Sequence, residues 1–136
     1  PLRHTTKTAE DLFSSPTTQP QQISFEVALP LLKELLEDPS VLKIGHNIKY
    51  DAIILSQEGI HLTPFDDTMV LSYLLDGTHH GHGLDELSQL HFDHQTIKYK
   101  DVVGSGKDEI TFDFVSLDKA CSYAAEDADM TIRLYQ

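Results

Sequence analysis

Cysteine, basic side chains and long apolar runs are all scarce in these 136 residues. The single cysteine, Cys121, cannot close an intramolecular disulfide. That excludes a disulfide scaffold and makes a reducing cytoplasm the expected compartment. No apolar run nears the roughly 20 residues that span a bilayer, and no signal peptide opens the chain, so no membrane partner is expected. Lys and Arg number 10 against 22 Asp and Glu, a net charge of −12. This deficit argues against a histone-like coat for phosphates. It leaves open a nucleic-acid enzyme, because metal-dependent phosphodiester chemistry needs carboxylates and the cations they hold invert the local charge. No internal repeat is visible. The remaining composition, 40% apolar and 24% charged, describes one globular domain with a single core. The chain opens on Pro1 instead of Met, so it is expected to be a piece of something longer.

Residues 1–22, rich in Thr, Ser, Gln and Pro, read as a loop, and residues 23–136 as the folded part. Ser24 is positioned to cap a helix running to about Asp38, with Ala28, Leu31, Leu32 and Leu35 at helical spacing. Pro30 inside that run implies a late start or a kink. Residues 41–44 read as a short strand ended by Gly45. A helix is expected from near Asn47 to Gly59, a left-handed cap, and another from Asp66 or Asp67 to Leu75. A Gly/His-rich loop over 77–83 leads to a short helix over 84–90. Residues 93–115 read as irregular, with a flexible turn at Gly104-Ser105-Gly106. The last helix starts at Ser116 and sets Leu117, Cys121, Ala124, Ala128 and Ile132 on one stripe expected to be buried.

Two carboxylate motifs carry the chemistry. In His46-Asn47-Ile48-Lys49-Tyr50-Asp51, Asn47 and Asp51 are four apart, so on a helix they share a face about 6 Å apart. In Tyr123-Ala124-Ala125-Glu126-Asp127 the outer pair has the same spacing, and alanines at 124, 125 and 128 permit close approach. Taken alone, Asn47 reads equally as a helix cap, and Asp51 and Asp127 as solvated charges.

At these residues the chain resembles a known family, the 3′→5′ proofreading exonuclease domain of bacterial DNA polymerase I. Asn47-Ile48-Lys49-Tyr50-Asp51 is similar to that family's second exonuclease motif, Asn-x-x-x-Asp. Tyr123-Ala124-Ala125-Glu126-Asp127-Ala128-Asp129 is similar to its third, Tyr-x-x-x-Asp. Leu35-Leu36-Glu37-Asp38-Pro39, Asp67-Thr68-Met69, Leu84-Asp85-Glu86-Leu87 and His94-Gln95-Thr96-Ile97 follow the family in order, so the resemblance covers most of residues 24–136. The wider DEDD exonuclease superfamily shares the plan.

The resemblance implies an α/β fold of the ribonuclease H-like kind. It also implies a departure. The family's first motif, Asp-x-Glu on the first strand, occurs nowhere in these residues. It is expected upstream, which makes the chain a helix-dominated fragment with half of a metal site. The family's mechanism uses two divalent ions, Mg²⁺ or Mn²⁺ with Zn²⁺ as a further candidate, about 4 Å apart across the scissile phosphate. On this pattern Asp51 and Asp127 are the metal ligands, and Asp51, Tyr123 and Asp127 the catalytic set. Tyr123 orients the attacking water; with an ordinary pKa of about 10 it is a poor base at neutral pH. Asn47, Tyr50, Tyr99 and His82 are the expected substrate contacts, Tyr99 by stacking on a terminal base, although ordinary packing explains Tyr99 equally well. The implied partners are a single-stranded DNA 3′ end and a polymerase domain of the same chain. Two alternatives are a degenerate, non-catalytic scaffold domain of a polymerase and a ribonuclease D-like exoribonuclease.

Other signals carry less. His79-His80-Gly81-His82 offers imidazoles to Zn²⁺ or Ni²⁺, but without a helical i,i+4 pair it reads as a loop near the substrate path. Gly104-Ser105-Gly106-Lys107 is no phosphate loop, because Asp101 stands at the required first Gly and Asp108 at the required Ser/Thr. Cys121 reads as a small buried residue. Strand 41–44, deprived of the neighbour that carries Asp-x-Glu, is expected either to be covered by residues 1–22 or to self-associate through its open edge.

Overall fold

The computed structural model describes residues 2–4 and 21–136. In chain order they form α1 (Phe25–Glu37), β1 (Lys43–Gly45), α2 (Lys49–Gln57), β2 (Phe65–Asp67), α3 (Thr68–Asp76), α4 (Leu84–Phe92), α5 (Tyr99–Val103) and α6 (Leu117–Tyr135). Two 3₁₀ turns, Gly106–Asp108 and Phe112–Phe114, precede α6. This is an α/β arrangement dominated by helix. The loop expected over 1–22 lies outside the described residues except at 2–4, 21 and 22. There His4 and Gln22 exchange hydrogen bonds, His4 N donating to Gln22 Oε1 at 2.6 Å and Gln22 Nε2 to the His4 carbonyl at 2.7 Å.

β1 and β2 pair in parallel, with Lys43 opposite Phe65, Ile44 opposite Asp66 and Gly45 opposite Asp67. A parallel pair needs a crossover, and α2 supplies it. β2 is not expected from the sequence, because two of its three residues are aspartates, which strands disfavour. β1 begins two residues later than the expected 41–44. The Asp38 carboxylate folds the chain back there, accepting from the Ser40 amide at 2.8 Å and the Ser40 hydroxyl at 2.7 Å. β1 ends at Gly45, where a Cβ would sit 2.7 Å from Ile48 Cδ1 and force Ile48 to shift.

α6 is the element against which α3, α4, α5 and β1 pack. On α6, Met130 and Thr131 are buried, and Ala120 and Tyr123 are partly buried. The expected buried stripe is therefore corrected. Leu117, Cys121, Ala124, Ala128 and Ile132 are all exposed. The helical period holds, but the buried face is the neighbouring one; of the expected stripe, Ala128 and Ile132 line the cleft described below. The expected stripe of α1 is corrected too. Ala28 is buried, while Leu31 and Leu35 are 64% and 53% exposed. Pro30 lies within α1 and Ser24 precedes it, without a side-chain cap bond.

The expected irregular segment 93–115 contains α5, too short at five residues to show a helical period. Its Val102 and Val103 form a small core with Val115, backed by Ile110, Phe112, Ala120 and Tyr123. Elsewhere Ile60 and Leu87 are almost wholly enclosed. Leu87→Ala is therefore expected to cost about 3 kcal/mol in urea unfolding of this chain, and Ile132→Ala, on the exposed stripe, under about 1 kcal/mol. Equal losses would show that the stripe is buried after all.

Candidate active site

Asn47, Asp51, Tyr123 and Asp127 line one cleft of about 510 Å³, together with His46 and Asp85. Two hollows of about 690 Å³ lie elsewhere, one of them sharing Asp85 with the cleft, but neither holds both motifs. α6 delivers Tyr123 and Asp127 one turn apart, and the first turn of α2 delivers Asp51.

Asn47 arrives differently from the expectation. It is not helical: its φ is +57°, a left-handed conformation that Asn tolerates better than most residues. α2 accordingly starts at Lys49, two residues later than expected. The Asp67 carboxylate holds this turn. Oδ1 accepts from the Asn47 amide at 2.9 Å and Oδ2 from the Ile48 amide at 3.0 Å. Oδ1 also accepts from the Met69 amide at 2.9 Å, capping α3. One side chain at the end of β2 thus sets the path of the Asn47 turn and the starts of two helices.

The electrostatics of the cleft favour a cation. Burial raises the Asp127 carboxyl above its ordinary value; the Tyr123 hydroxyl opposes this, and the charges of Glu126 and Asp85 add to it. Burial first, and then the Asp127 charge, push the Tyr123 phenol up to about 12. Tyr123 therefore stays protonated at neutral pH and acts as a hydrogen-bond donor. His46 moves the other way, its pKa lowered by burial against the pull of Asp67. Its Nδ1 meets the Thr68 hydroxyl at 2.8 Å, and its buried Nε2 lies near the His82 backbone without a hydrogen bond.

None of the remaining expected contacts, Tyr99, Tyr50 and His82, is among the residues that line the cleft. Tyr99 is half exposed; its ring stacks on Phe112 at 6.1 Å and meets Tyr123 edge-on at 6.1 Å. Tyr50 is 68% exposed and does not line the cleft. Neither does His82. Its Nδ1 bonds the Ser72 hydroxyl at 2.8 Å and its Nε2 the Gly77 carbonyl at 2.6 Å, so both nitrogens lock the 77–83 loop onto α3. Cys121, expected to be buried, is exposed. Sequence reasoning missed Asp85 and His46 as cleft residues and Asp67 as the support of the Asn47 turn; each stood within a quoted string without a spacing that singled it out.

Asp51 and Asp127 are hard oxygen donors of the type that Mg²⁺ and Mn²⁺ take. Among the described residues no three His, Cys, Asp or Glu side chains are grouped to hold a metal ion. The pair fits as part of a larger ligand set.

Residues 5–136 match the sequence pattern of the family described as 3′-5′ exonuclease. The chain belongs to that family. It is 54% identical over 114 residues to DNA polymerase I of Rhizobium leguminosarum, an overlap of 84% of this chain and 11% of that protein. To DNA polymerase I of Pseudomonas aeruginosa it is 42% identical over 123 residues, 86% of this chain and 13% of the relative. A more distant relative, exonuclease 3′-5′ domain-containing protein 2 of Drosophila melanogaster, is 34% identical over 106 residues, 77% of this chain and 17% of the relative. The chain thus spans 11% and 13% of these two polymerases, and the polymerase I resemblance read from its motifs agrees with their names.

Two outcomes follow from the site's framework. Asp67→Ala strands three amides and is expected to cost about 3 kcal/mol in urea unfolding. Asp66→Ala, which loses one bond from the Tyr135 hydroxyl, is expected to cost about 1 kcal/mol. Indistinguishable losses would remove Asp67 from its supporting role. For His46 the folded-state pKa lies below its ordinary 6.5, so the unfolded chain takes up the proton first as pH falls. Stability is then full above that value and declines as pH drops through it towards the folded pKa. Melting temperature measured against pH is expected to show this decline, and His46→Gln to flatten it. An unchanged slope in the variant would contradict the assignment.

Proposed function

We propose that this chain is part of a ribonuclease H-like domain that removes nucleotides from the 3′ end of single-stranded DNA, within a polypeptide that also carries a DNA polymerase. The observation that carries this reading is the convergence of Asp51, Tyr123 and Asp127 in one cleft, from two motifs far apart in sequence. The family match and the polymerase relatives support it over a scaffold domain or a ribonuclease D-like enzyme. A ribonuclease H-like fold supplies the strands that would cover the exposed face of α6 and the side of β1 away from β2. The self-association expected of a bare edge belongs to the same surface. Among the described residues no helix is long and apolar enough to cross a membrane.

Asp51 and Asp127 would hold divalent cations, with the Asp-x-Glu carboxylates completing the set. Bound there, Mg²⁺ or Mn²⁺ polarises a phosphodiester and lowers the pKa of water. The chain's own side chains do the rest. Tyr123 keeps its proton and donates it in a hydrogen bond, which orients a water for in-line attack and rules the phenol out as the base. The Asn47 side-chain amide, carried on a left-handed turn, offers both a donor and an acceptor to the strand. Tyr99 presents a half-exposed ring for stacking on an unpaired terminal base. The charge of −12 makes cations a condition for any phosphate to enter.

In the polymerase that carries this domain, Asp127→Ala is expected to lower Mg²⁺-dependent degradation of a single-stranded oligonucleotide by at least about a thousandfold, with polymerisation intact. Tyr123→Phe should lower it about 10- to 100-fold without moving the pH profile between 6 and 9, because the phenol does not titrate there. These 136 residues alone, without Asp-x-Glu, should show almost none. Undiminished degradation by the Asp127→Ala protein would overturn the reading.

A further inference from the structure

One largely buried carboxylate has no part in the chemistry above. Glu126 adjoins Asp127 on α6, and its side chain is only 17% exposed. Its Oε1 accepts from His94 Nε2 at 2.8 Å and its Oε2 from the Ile97 amide at 2.6 Å. Thr96, between them, is buried and donates through its hydroxyl to Asp85 Oδ1 at 2.7 Å. The segment 94–97 is therefore tied to α6 on one side and to α4 on the other. Two residues further on stands Tyr99, whose ring meets Tyr123 edge-on. Tyr99 has no regular structure upstream to fix it, since the chain between α4 and α5 is irregular. Its place beside Tyr123 is set on one side by α5, whose Val102 and Val103 are buried in the core that Tyr123 backs, and on the other by the anchored segment 94–97.

We infer that Glu126 is a positioning residue for substrate binding: by clamping segment 94–97 to α6 it holds the Tyr99 ring beside Tyr123, where it stacks on the terminal base of a single-stranded end. The inference rests on the exonuclease reading. A Glu126 that served stability alone would change the amount of folded protein and leave the folded molecules' affinity for substrate untouched. A positioning Glu126 changes KM, and does so only while Tyr99 is present.

The test is steady-state hydrolysis of a single-stranded oligonucleotide by the full polypeptide that carries this domain. Glu126→Ala should raise KM about tenfold with kcat within about threefold of wild type, the range that loss of one base–aromatic stack allows. Glu126→Gln keeps an acceptor for the Ile97 amide and should stay within about threefold of wild type in KM. In a Tyr99→Ala background, Glu126→Ala should add nothing. His94→Ala, which removes half of the clamp, gives the same comparison if Glu126→Ala does not fold. An unchanged KM in Glu126→Ala or His94→Ala, or effects that multiply with Tyr99→Ala, would overturn the inference and leave the exonuclease reading standing. A wild-type polypeptide that hydrolyses no oligonucleotide would overturn both.

Discussion

The Asp67 carboxylate accepts three backbone amides at once, from Asn47, Ile48 and Met69, and the rest of the site depends on that constraint. Parallel pairing places Asp67 directly opposite Gly45, so the end of β2 stands beside the turn that leaves β1. Gly45 permits the close passage of Ile48, and Asp67 then holds the next two amides. Asn47 is fixed in a left-handed conformation, and α2 is launched at the angle that brings Asp51 into the cleft. The sheet is only two strands of three residues, yet it sets where half of the site begins.

The other half comes from α6, and the two halves share an electrostatic problem. Asp127 is partly buried among Asp85, Glu126 and the phenol of Tyr123, and its carboxyl is raised as a result. A carboxylate kept near other carboxylates and away from water is poorly stabilised until a cation arrives. On the proposed function, this is the physical link between the acidic composition and a phosphodiester substrate: the cleft would be hostile to an anion as it stands and would become receptive once hard cations occupied it.

How much of this was legible in the sequence depends on whether spacing or long-range contact determined it. Tyr123 and Asp127 share a face because α6 is a long regular helix, and their four-residue spacing says so directly. Asp51 and Asn47 also share the cleft, but the stated reason fails: Asn47 is held by Asp67, 20 positions away, a contact that no local periodicity reveals. The stripe on α6 had the correct period and the wrong face, since period alone does not say which side meets α3, α4 and α5. α5 and β2 were invisible because five and three residues are too few for a pattern. His82 was placed near the substrate by the motif around it, whereas its two nitrogens are committed to Ser72 and Gly77.

The central claim is that Asp51 and Asp127 act as one unit in one cleft. The most direct measurement is a double-mutant cycle on 3′-end hydrolysis of single-stranded DNA in the full polypeptide, with Asp51→Ala, Asp127→Ala and the two together. Residues that serve one site lose their effect once the site is broken. The expected result is a double variant no slower than the slower single variant. Losses that multiply, with each residue contributing independently of the other, would contradict a shared site.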